Sequence, residues 1–501
     1  MDKKQYVQEH LGKGRLLSPH LVSEAPPAAC PDGAVYINQD LLAHPELAQL
    51  NWPEFERARQ EFETGRPERY QAFLSSASPR KRAPGVKVLV SHPEGSAKFS
   101  VEDFTLHFNA RLEALSKILY NRDELKTATA VSRVLQKKQR ESVAVIGMVM
   151  EKDLTKKGSL MLKIEDSTEA IKVLVSNQKP ELFEQAKELV LDEVIGVSGV
   201  CGERIIFANA LYWPDVPLTN ELKRAPEEGI ALFLSDLHVG SDHFLEQDFE
   251  RFLAWVRGEA GTEAQRQLAK KVKYIFLVGD IAAGVGVYPG QEQDLTLPDV
   301  KEQYRRTAEL LRRIPQHITL IMCAGNHDAV RLAEPQPPLA NEFTEALRLP
   351  NLIQVSNPSL VNIHASEGFP GFNVLVYHGY SFDYYVANVD SIRNSGGYDR
   401  ADLIMRFLLK RRHLAPAHTS APSIPTAEKD PLVIDAVPDF FVSGHIHKTA
   451  VSNYRNVTLI MSSCWESKTA YQEKVGHNPE PSRVPAVDLR TREVKILKFG
   501  K

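Results

Sequence analysis

Five short apolar runs, each ending in a polar cluster, constrain this chain more tightly than anything else in it. Residues 230–234 run into Ser235-Asp236-Leu237-His238, 274–278 into Gly279-Asp280, and 318–323 into Gly325-Asn326-His327-Asp328. Residues 374–377 run into His378-Gly379, and 440–442 into Ser443-Gly444-His445-Ile446-His447. Runs of this length and composition read as buried strands, and α/β folds build their sites just past the C-terminal ends of such strands. Taken singly, a Gly-Asp pair is a turn and a histidine after a strand is an ordinary side chain. Turn chemistry does not explain five in succession that each supply Asp, Asn or His. The set reads as a metal centre. Carboxylate and amide oxygens with imidazole nitrogens suit Mn²⁺, Fe, Zn²⁺ or Mg²⁺, and no soft sulfur is offered. There are ligands enough for two ions that share Asp280. Two cations about 3.5–4 Å apart activate water and hold the non-bridging oxygens of a phosphate, so the expected reaction is phosphoester hydrolysis by in-line attack.

With 501 residues the chain is too long for one compact core, and two or three domains are expected. Lys and Arg number 61 against 64 Asp and Glu, a net charge of −3. Phosphate neutralisation needs concentrated positive charge, so any contact with DNA must come from local patches or from a partner. Basic clusters at Arg80-Lys81-Arg82, Lys137-Lys138-Gln139-Arg140 and Lys410-Arg411-Arg412-His413 read as solvated surface. Cys30, Cys201, Cys323 and Cys464 are far apart and suggest neither disulfides nor a thiolate zinc site. No long uncharged apolar run appears and the first residues lack a signal-peptide core, so a cytoplasmic location is expected.

Pro- and Gly-rich breaks near 25–33, 76–85 and 213–229 suggest three parts: a partly helical region over 1–135, a β domain over 136–215 and the site-bearing domain over 216–501. Residues 100–120 read as an amphipathic helix, with Ser100 and Asp103 at capping-box spacing and Phe104, Phe108, Leu112, Leu115 and Leu119 on a core-facing side. From 142 to about 212, three short strands, a helix and two strands follow in the order of a five-stranded OB barrel. Residues 142–182 contain no aromatic to stack on a base, which favours protein docking over gripping single-stranded DNA. The Pro-rich stretch 415–431 reads as a long surface loop, and His243, His364, His413 and His418 as surface or loop histidines. Trp465 either borders the cleft or packs as a core indole. Tyr288 and Gln291, soon after Asp280, are candidates for touching substrate.

The five clusters match, in order, the D-x-H, G-D, G-N-H-D, H and G-H-x-H blocks of the calcineurin-like metallophosphoesterases, and residues 229–501 resemble that superfamily. The resemblance implies a β-sandwich flanked by helices, with Asp236, His238, Asp280 and His447 around one metal and Asp280, Asn326, His378 and His445 around the other. It casts His327 as the catalytic residue that steadies the transition state or protonates the leaving oxygen. A narrower likeness rests on Ser235-Asp-Leu-His-Val-Gly-Ser241, Gly286-Val-Tyr-Pro-Gly-Gln291, His378-Gly-Tyr-Ser-Phe-Asp383, Arg411-Arg-His-Leu-Ala-Pro416 and Asn478-Pro-Glu-Pro-Ser-Arg-Val-Pro-Ala-Val-Asp-Leu489. Across roughly 86–500 these segments are similar to the small subunit of archaeal family D DNA polymerase. That likeness implies a 3′→5′ proofreading exonuclease with two divalent ions, Mn²⁺ first among them. The implied partners are a large polymerising subunit, a single-stranded 3′ end of DNA and, through the holoenzyme, the sliding clamp.

One position departs from the pattern. Three residues past Asp280 the family places an Asp that orients the histidine of the G-N-H block, and here Ala283 stands there. The expectation is a less well held His327 and a slower exonuclease. Two other readings share some of these features. A structural accessory subunit predicts lost ligands, and none of the five clusters has lost one. A stand-alone phosphoesterase gives no reason for a barrel directly upstream.

Overall fold

A computed structural model describes residues 16–17, 36–37, 85–93, 98–474 and 476–500. The break over 25–33, Cys30 and the cluster Arg80-Lys81-Arg82 lie outside the described residues. The chain divides into two compact units, Met1–Lys81 and Arg82–Lys501. In the first, β1 (Leu16–Leu17) and β2 (Tyr36–Ile37) pair in parallel.

The second unit opens with β3 (Val86–Val90) and α1 (Val101–Leu119). The reciprocal Ser100–Asp103 capping box forms as the spacing predicts, and Leu115 and Leu119 bury against the outside of a closed five-stranded barrel. That barrel comprises β4 (Ser142–Leu154), β5 (Leu160–Glu165), β6 (Ala170–Val175), β7 (Val194–Cys201) and β8 (Ile205–Tyr212), in the order β4-β5-β6-β8-β7. Helix α2 (Pro180–Lys187) lies between its third and fourth strands, so the predicted order of three strands, a helix and two strands is what forms. Alternate residues point inward, and Leu162, Ile164, Val173, Val197 and Ile206 fill the interior.

Two six-stranded sheets follow. The first contains β9 (Ile230–Leu234), β10 (Val272–Val278), β11 (Thr319–Cys323) and β12 (Leu352–Gln354), all parallel. The second contains β13 (Ser359–Ile363), β14 (Phe372–Val376), β15 (Phe440–Ser443), β16 (Ala450–Tyr454) and β17 (Val457–Met461), with β3 at its edge. Antiparallel β18 (Arg483–Asp488) and β19 (Val494–Lys498) complete the first. Side-chain alternation explains why β9 and β10 read as continuous apolar runs. Ala231, Phe233, Phe276 and Val278 meet Phe372, Val374 and Phe440 of the other sheet, while Leu232, Leu234, Ile275 and Leu277 pack under helices. Those helices are α3 (Glu246–Val256) and α4 (Val300–Leu311); α5 (Phe382–Asn388) and α6 (Ala401–Arg411) cover the second sheet. Each fully buried ring such as Phe276 contributes about 1.5–3 kcal/mol.

Three surface expectations fail for one physical reason. Arg411 and Arg412 are buried, as is His413. Arg411 Nε lies 2.7 Å from Glu193 Oε2 of the barrel edge, and His413 Nε2 lies 2.8 Å from Asp430 Oδ2. Asp430 also receives Arg111 Nε of α1 at 2.6 Å, which draws the stretch 415–431 inward and buries Ala415, Ala417 and Ala421. Arg411 is compensated by Glu193 from the distant barrel, Arg412 by the backbone carbonyls of Ile434 and Asp435, and His413 by Asp430, partners that local composition does not register. His364 is buried too, edge-on to Tyr274 at 5.8 Å with Nε2 3.3 Å from the Glu227 carbonyl. His243 and His418 stay half-exposed, and Lys137 to Arg140 are exposed. Trp465 is a core indole, 4.8 Å from Phe249. Cys201, Cys323 and Cys464 are free and buried. Among the described residues no helix is long and apolar enough to cross a membrane.

Candidate metal centre

The five predicted clusters meet at the C-terminal ends of β9, β10, β11, β14 and β15. The chain leaves β9 and β10 side by side, and their loops stay hydrogen-bonded: Asp236 N–H donates to the Gly279 carbonyl and His238 N–H to the Asp280 carbonyl, both at 3.0 Å. Asp236 (φ 52°), His238 (49°), Asp280 (50°), His445 (70°) and His447 (56°) all adopt left-handed backbone, which side chains other than glycine rarely do. Such strain persists only where surrounding contacts over-determine it, and it turns these side chains toward one point. Glycines make the approach possible. A Cβ on Gly444 would sit 1.8 Å from Ser235 Oγ and 2.6 Å from Asp236 Oδ2, and one on Gly279 (φ 81°) 2.4 Å from His378 Nδ1.

Asp280 is the hub. Its Oδ2 lies 3.2 Å from His378 Nε2 and 3.9 Å from His238 Nε2, and its Oδ1 accepts the His327 backbone N–H at 2.8 Å. Asn326 Oδ1 is 3.1 Å from His378 Nε2. On the other side His447 Nε2 is 3.3 Å from Asp236 Oδ1 and 3.2 Å from His238 Nε2. Ligand atoms within 4.8 Å of one another form three groups here: Asp236, His238 and His447; His238, Asp280 and His327; and Asp280, His378 and His445. All seven predicted ligands and His327 are therefore brought together.

Burial shapes the charges. It pushes His238 down to about 4, leaving a neutral imidazole. It also disfavours the charged form of His378, but Asp280 and Asp236 outweigh it and raise that ring to about 10. Asp280 resists ionisation through burial, yet His378, His327 and His238 hold its carboxyl well below the usual range.

The rest of the surroundings are braces. Asp328 accepts from the backbone of Gly325 (2.9 Å), Ile281 (3.1 Å) and Ala282 (3.2 Å) and from Tyr304 Oη (3.0 Å), tying the β10 and β11 loops together. Burial and the charge of Asp280 push Asp328 up to about 6. His327 Nδ1–H donates to the Ala283 carbonyl at 2.8 Å, so the ring is oriented by backbone where the expected Asp is missing. Gln291 is buried and engaged with its own loop: Nε2 donates to the same Ala283 carbonyl at 2.8 Å and Oε1 accepts Val287 N–H at 2.8 Å. Tyr288 Oη donates to Asp294 at 2.9 Å. Both line the cleft, a cavity of about 1220 Å³, but Gln291 supports the loop from within. Glu466 and Gln472 also line it and carried no sequence signal, and so does Asp383, which the sequence marked only as the end of the segment 378–383. Asp328 did, as the fourth residue of its cluster.

The family of B subunits of DNA polymerases alpha and epsilon matches residues 231–451. The chain is 39% identical over 407 residues to the DNA polymerase II small subunit of Archaeoglobus fulgidus, covering 81% of this chain and 79% of that one. It is 37% identical over 401 residues to the protein of the same name from Methanothermobacter thermautotrophicus, covering 80% of each. With that from Pyrococcus furiosus the figures are 37% over 404 residues, covering 80% of this chain and 64% of the other.

Proposed function

This chain belongs to the family of DNA polymerase II small subunits, and from that premise we propose that its cluster holds two divalent metal ions and removes nucleotides from the 3′ ends of DNA. Asp236, His238, Asp280 and His447 hold one ion, and Asp280, Asn326, His378 and His445 the other. The observation that carries this reading is the single carboxylate of Asp280 standing between two imidazole groups, His378 at 3.2 Å and His238 at 3.9 Å. The donor set fits: hard oxygens and imidazoles with no thiolate, suiting Mn²⁺ first and Mg²⁺, Fe or Zn²⁺ as alternatives. So does the charge of the cleft. Asp280, Asp294, Asp328, Asp383, Glu342 and Glu466 line it, and so many carboxylates would repel a phosphodiester unless cations reversed the sign.

When bound, two such ions supply an activated water and neutralise the non-bridging phosphate oxygens. The protein's own residues do the rest. Asp280 and Asp236 fix the spacing of the centre, and the strained loops hold the ligands in place before substrate arrives. His327, oriented through Nδ1, presents Nε2 to the scissile phosphate and gives a proton to the departing 3′ oxygen. His378 must release its proton for Nε2 to ligate, so metal affinity rises with pH. The barrel is an OB fold whose role is docking, and the partner is the large polymerising subunit, which delivers the single-stranded 3′ end. Contact with the sliding clamp is made through that assembly.

The test is Mn²⁺-dependent digestion of single-stranded and mismatched primer ends by wild type, Asp280→Ala and His327→Ala. Stepwise loss of 3′ nucleotides that disappears in both variants is the expected result. No digestion by wild type, alone and with its large subunit, overturns the nuclease reading and leaves an assembly role.

A further inference from the structure

Every imidazole with a described brace at this centre is supported from behind, and one is supported differently. His378 Nδ1–H donates to the Val278 carbonyl at 2.8 Å, His327 Nδ1–H donates to the Ala283 carbonyl at 2.8 Å, and the Gln472 amide lies 3.0 Å from His447 Nδ1. In these three the brace is uncharged, engages Nδ1 and leaves Nε2 toward the cluster. At His445 the order is reversed. Its Nε2 lies 2.9 Å from Asp383 Oδ2, so Nδ1 is the nitrogen left to face Asp280 and His378, and the brace is a carboxylate.

Asp383 stands in the first turn of α5, so the single loop 378–383 supplies both a ligand, His378, and the group behind another ligand. Asp383 is itself anchored by the Tyr398 hydroxyl, whose ring packs 4.2 Å from that of His477. The backbone of His445 is fixed separately, by donation from its N–H to Asp236 at 3.0 Å. The Asp383 bond therefore governs the orientation of the ring and not the path of the chain.

We infer that Asp383 is a positioning residue that sets His445 as an Nδ1 ligand, and that it serves one of the two metal positions only, the one built from Asp280, Asn326, His378 and His445. The inference rests on the two-metal reading above. A carboxylate behind a ligating imidazole fixes its tautomer and raises the basicity of the opposite nitrogen, and losing such a group weakens metal affinity about 10–100-fold. The other position, built from Asp236, His238, His447 and the shared Asp280, has no contact with Asp383 among the described hydrogen bonds and keeps its affinity.

The experiment is titration of the full-length chain with Mn²⁺, followed by calorimetry and electron paramagnetic resonance, for wild type, Asp383→Leu and Asp383→Asn. About half of the Asp383 side-chain surface is exposed, so both near-isosteric variants are expected to fold. Wild type is expected to bind two ions with an exchange-coupled spectrum. Asp383→Leu keeps the volume but not the hydrogen bond. It is expected to bind one ion as wild type does and the second about 10–100-fold more weakly, with an isolated-ion spectrum at intermediate loading. Asp383→Asn still accepts from Nε2–H and is expected to recover most of the lost affinity, which a role in packing alone would not distinguish from leucine. Two ions held by Asp383→Leu at wild-type affinity overturn the inference and leave the two-metal reading standing. Fewer than two in wild type overturns that reading and the inference with it.

Discussion

The barrel uses left-handed backbone in turns, whereas the two-sheet region uses it in turns and for a second end. Along the barrel, the residues other than glycine with positive φ are Asp192 (64°) and Arg204 (54°), both in turns between strands. In the two-sheet region Arg455, Asn456 and Arg492 likewise join strands, but Asp236, His238, Asp280, His445 and His447 take the same conformation just beyond strands, and these are candidate ligands. A turn needs such a residue to reverse the chain. The strand ends gain no topology from it; they gain direction, because it points side chains from separate strands into one space. Two buried carboxylates, one at the barrel edge and one beneath the candidate site, carry the comparison further. Glu193 at the barrel edge has Arg411 at 2.7 Å, whereas Glu334 beneath the site has, among the described side chains, the neutral Tyr377 hydroxyl at 3.1 Å.

The largest effect is expected where the two regions join. Glu193→Ala leaves the buried Arg411 guanidinium without its counter-charge, and removing one partner of a buried pair costs about 3–5 kcal/mol. Chemical denaturation should show a loss of that size, with Mn²⁺ stoichiometry unchanged in the folded protein. A loss below about 1 kcal/mol would place the pair among surface bridges and remove the joint from the comparison.

Glu334 sharpens the contrast through pH. Burial pushes its carboxyl from 4.5 up to about 8, with Tyr377 and His378 opposing only in part. The folded state then holds a proton that the unfolded state has released, so stability falls as pH rises from 4.5 to about 8. Glu334→Gln should flatten that slope, an effect on the order of a few kcal/mol across the window. An unchanged pH profile of the melting temperature would show that Glu334 is ionised in the fold.

Glycine packing separates the regions again. Gly444→Ala drives a Cβ into Ser235 and Asp236, while Gly199→Ala in the barrel drives one to 2.2 Å from the Phe207 carbonyl. Each overpacking should cost about 1–3 kcal/mol. Only Gly444→Ala should also weaken Mn²⁺ binding, as calorimetry would record; equal affinity in the two variants would mean that Asp236 can move without consequence.

Much of this was legible in the sequence because it is local. The five apolar runs, their C-terminal polar clusters, the order of elements in the barrel and the Ser100–Asp103 cap all follow from short-range pattern. What escaped is long-range pairing. Arg411 looks solvated until Glu193 arrives from the barrel, and Arg412 and His413 until the carbonyls of Ile434 and Asp435 and the carboxylate of Asp430 fold back onto them. Asp383 follows His378 by five residues, a spacing with no meaning until α5 turns it toward His445.

Ala283 is the smallest and most pointed case, because composition there suggests a defect that geometry removes. A missing carboxylate predicts a loose His327, yet the Ala283 carbonyl accepts Nδ1–H at 2.8 Å, and Gln291 Nε2 donates to that carbonyl at 2.8 Å from the other side. Restoring the acid by Ala283→Asp would add a second acceptor for a proton already placed. We expect the rate of 3′ digestion to change by less than about twofold, under ~0.4 kcal/mol in the barrier. Gln291→Ala, which removes the support beneath the carbonyl, should lower the rate more. Initial rates on one single-stranded substrate compare the two directly. A tenfold gain from Ala283→Asp would mean that a backbone acceptor does not hold the ring, and that the strained loops aim the ligands better than they aim the proton donor.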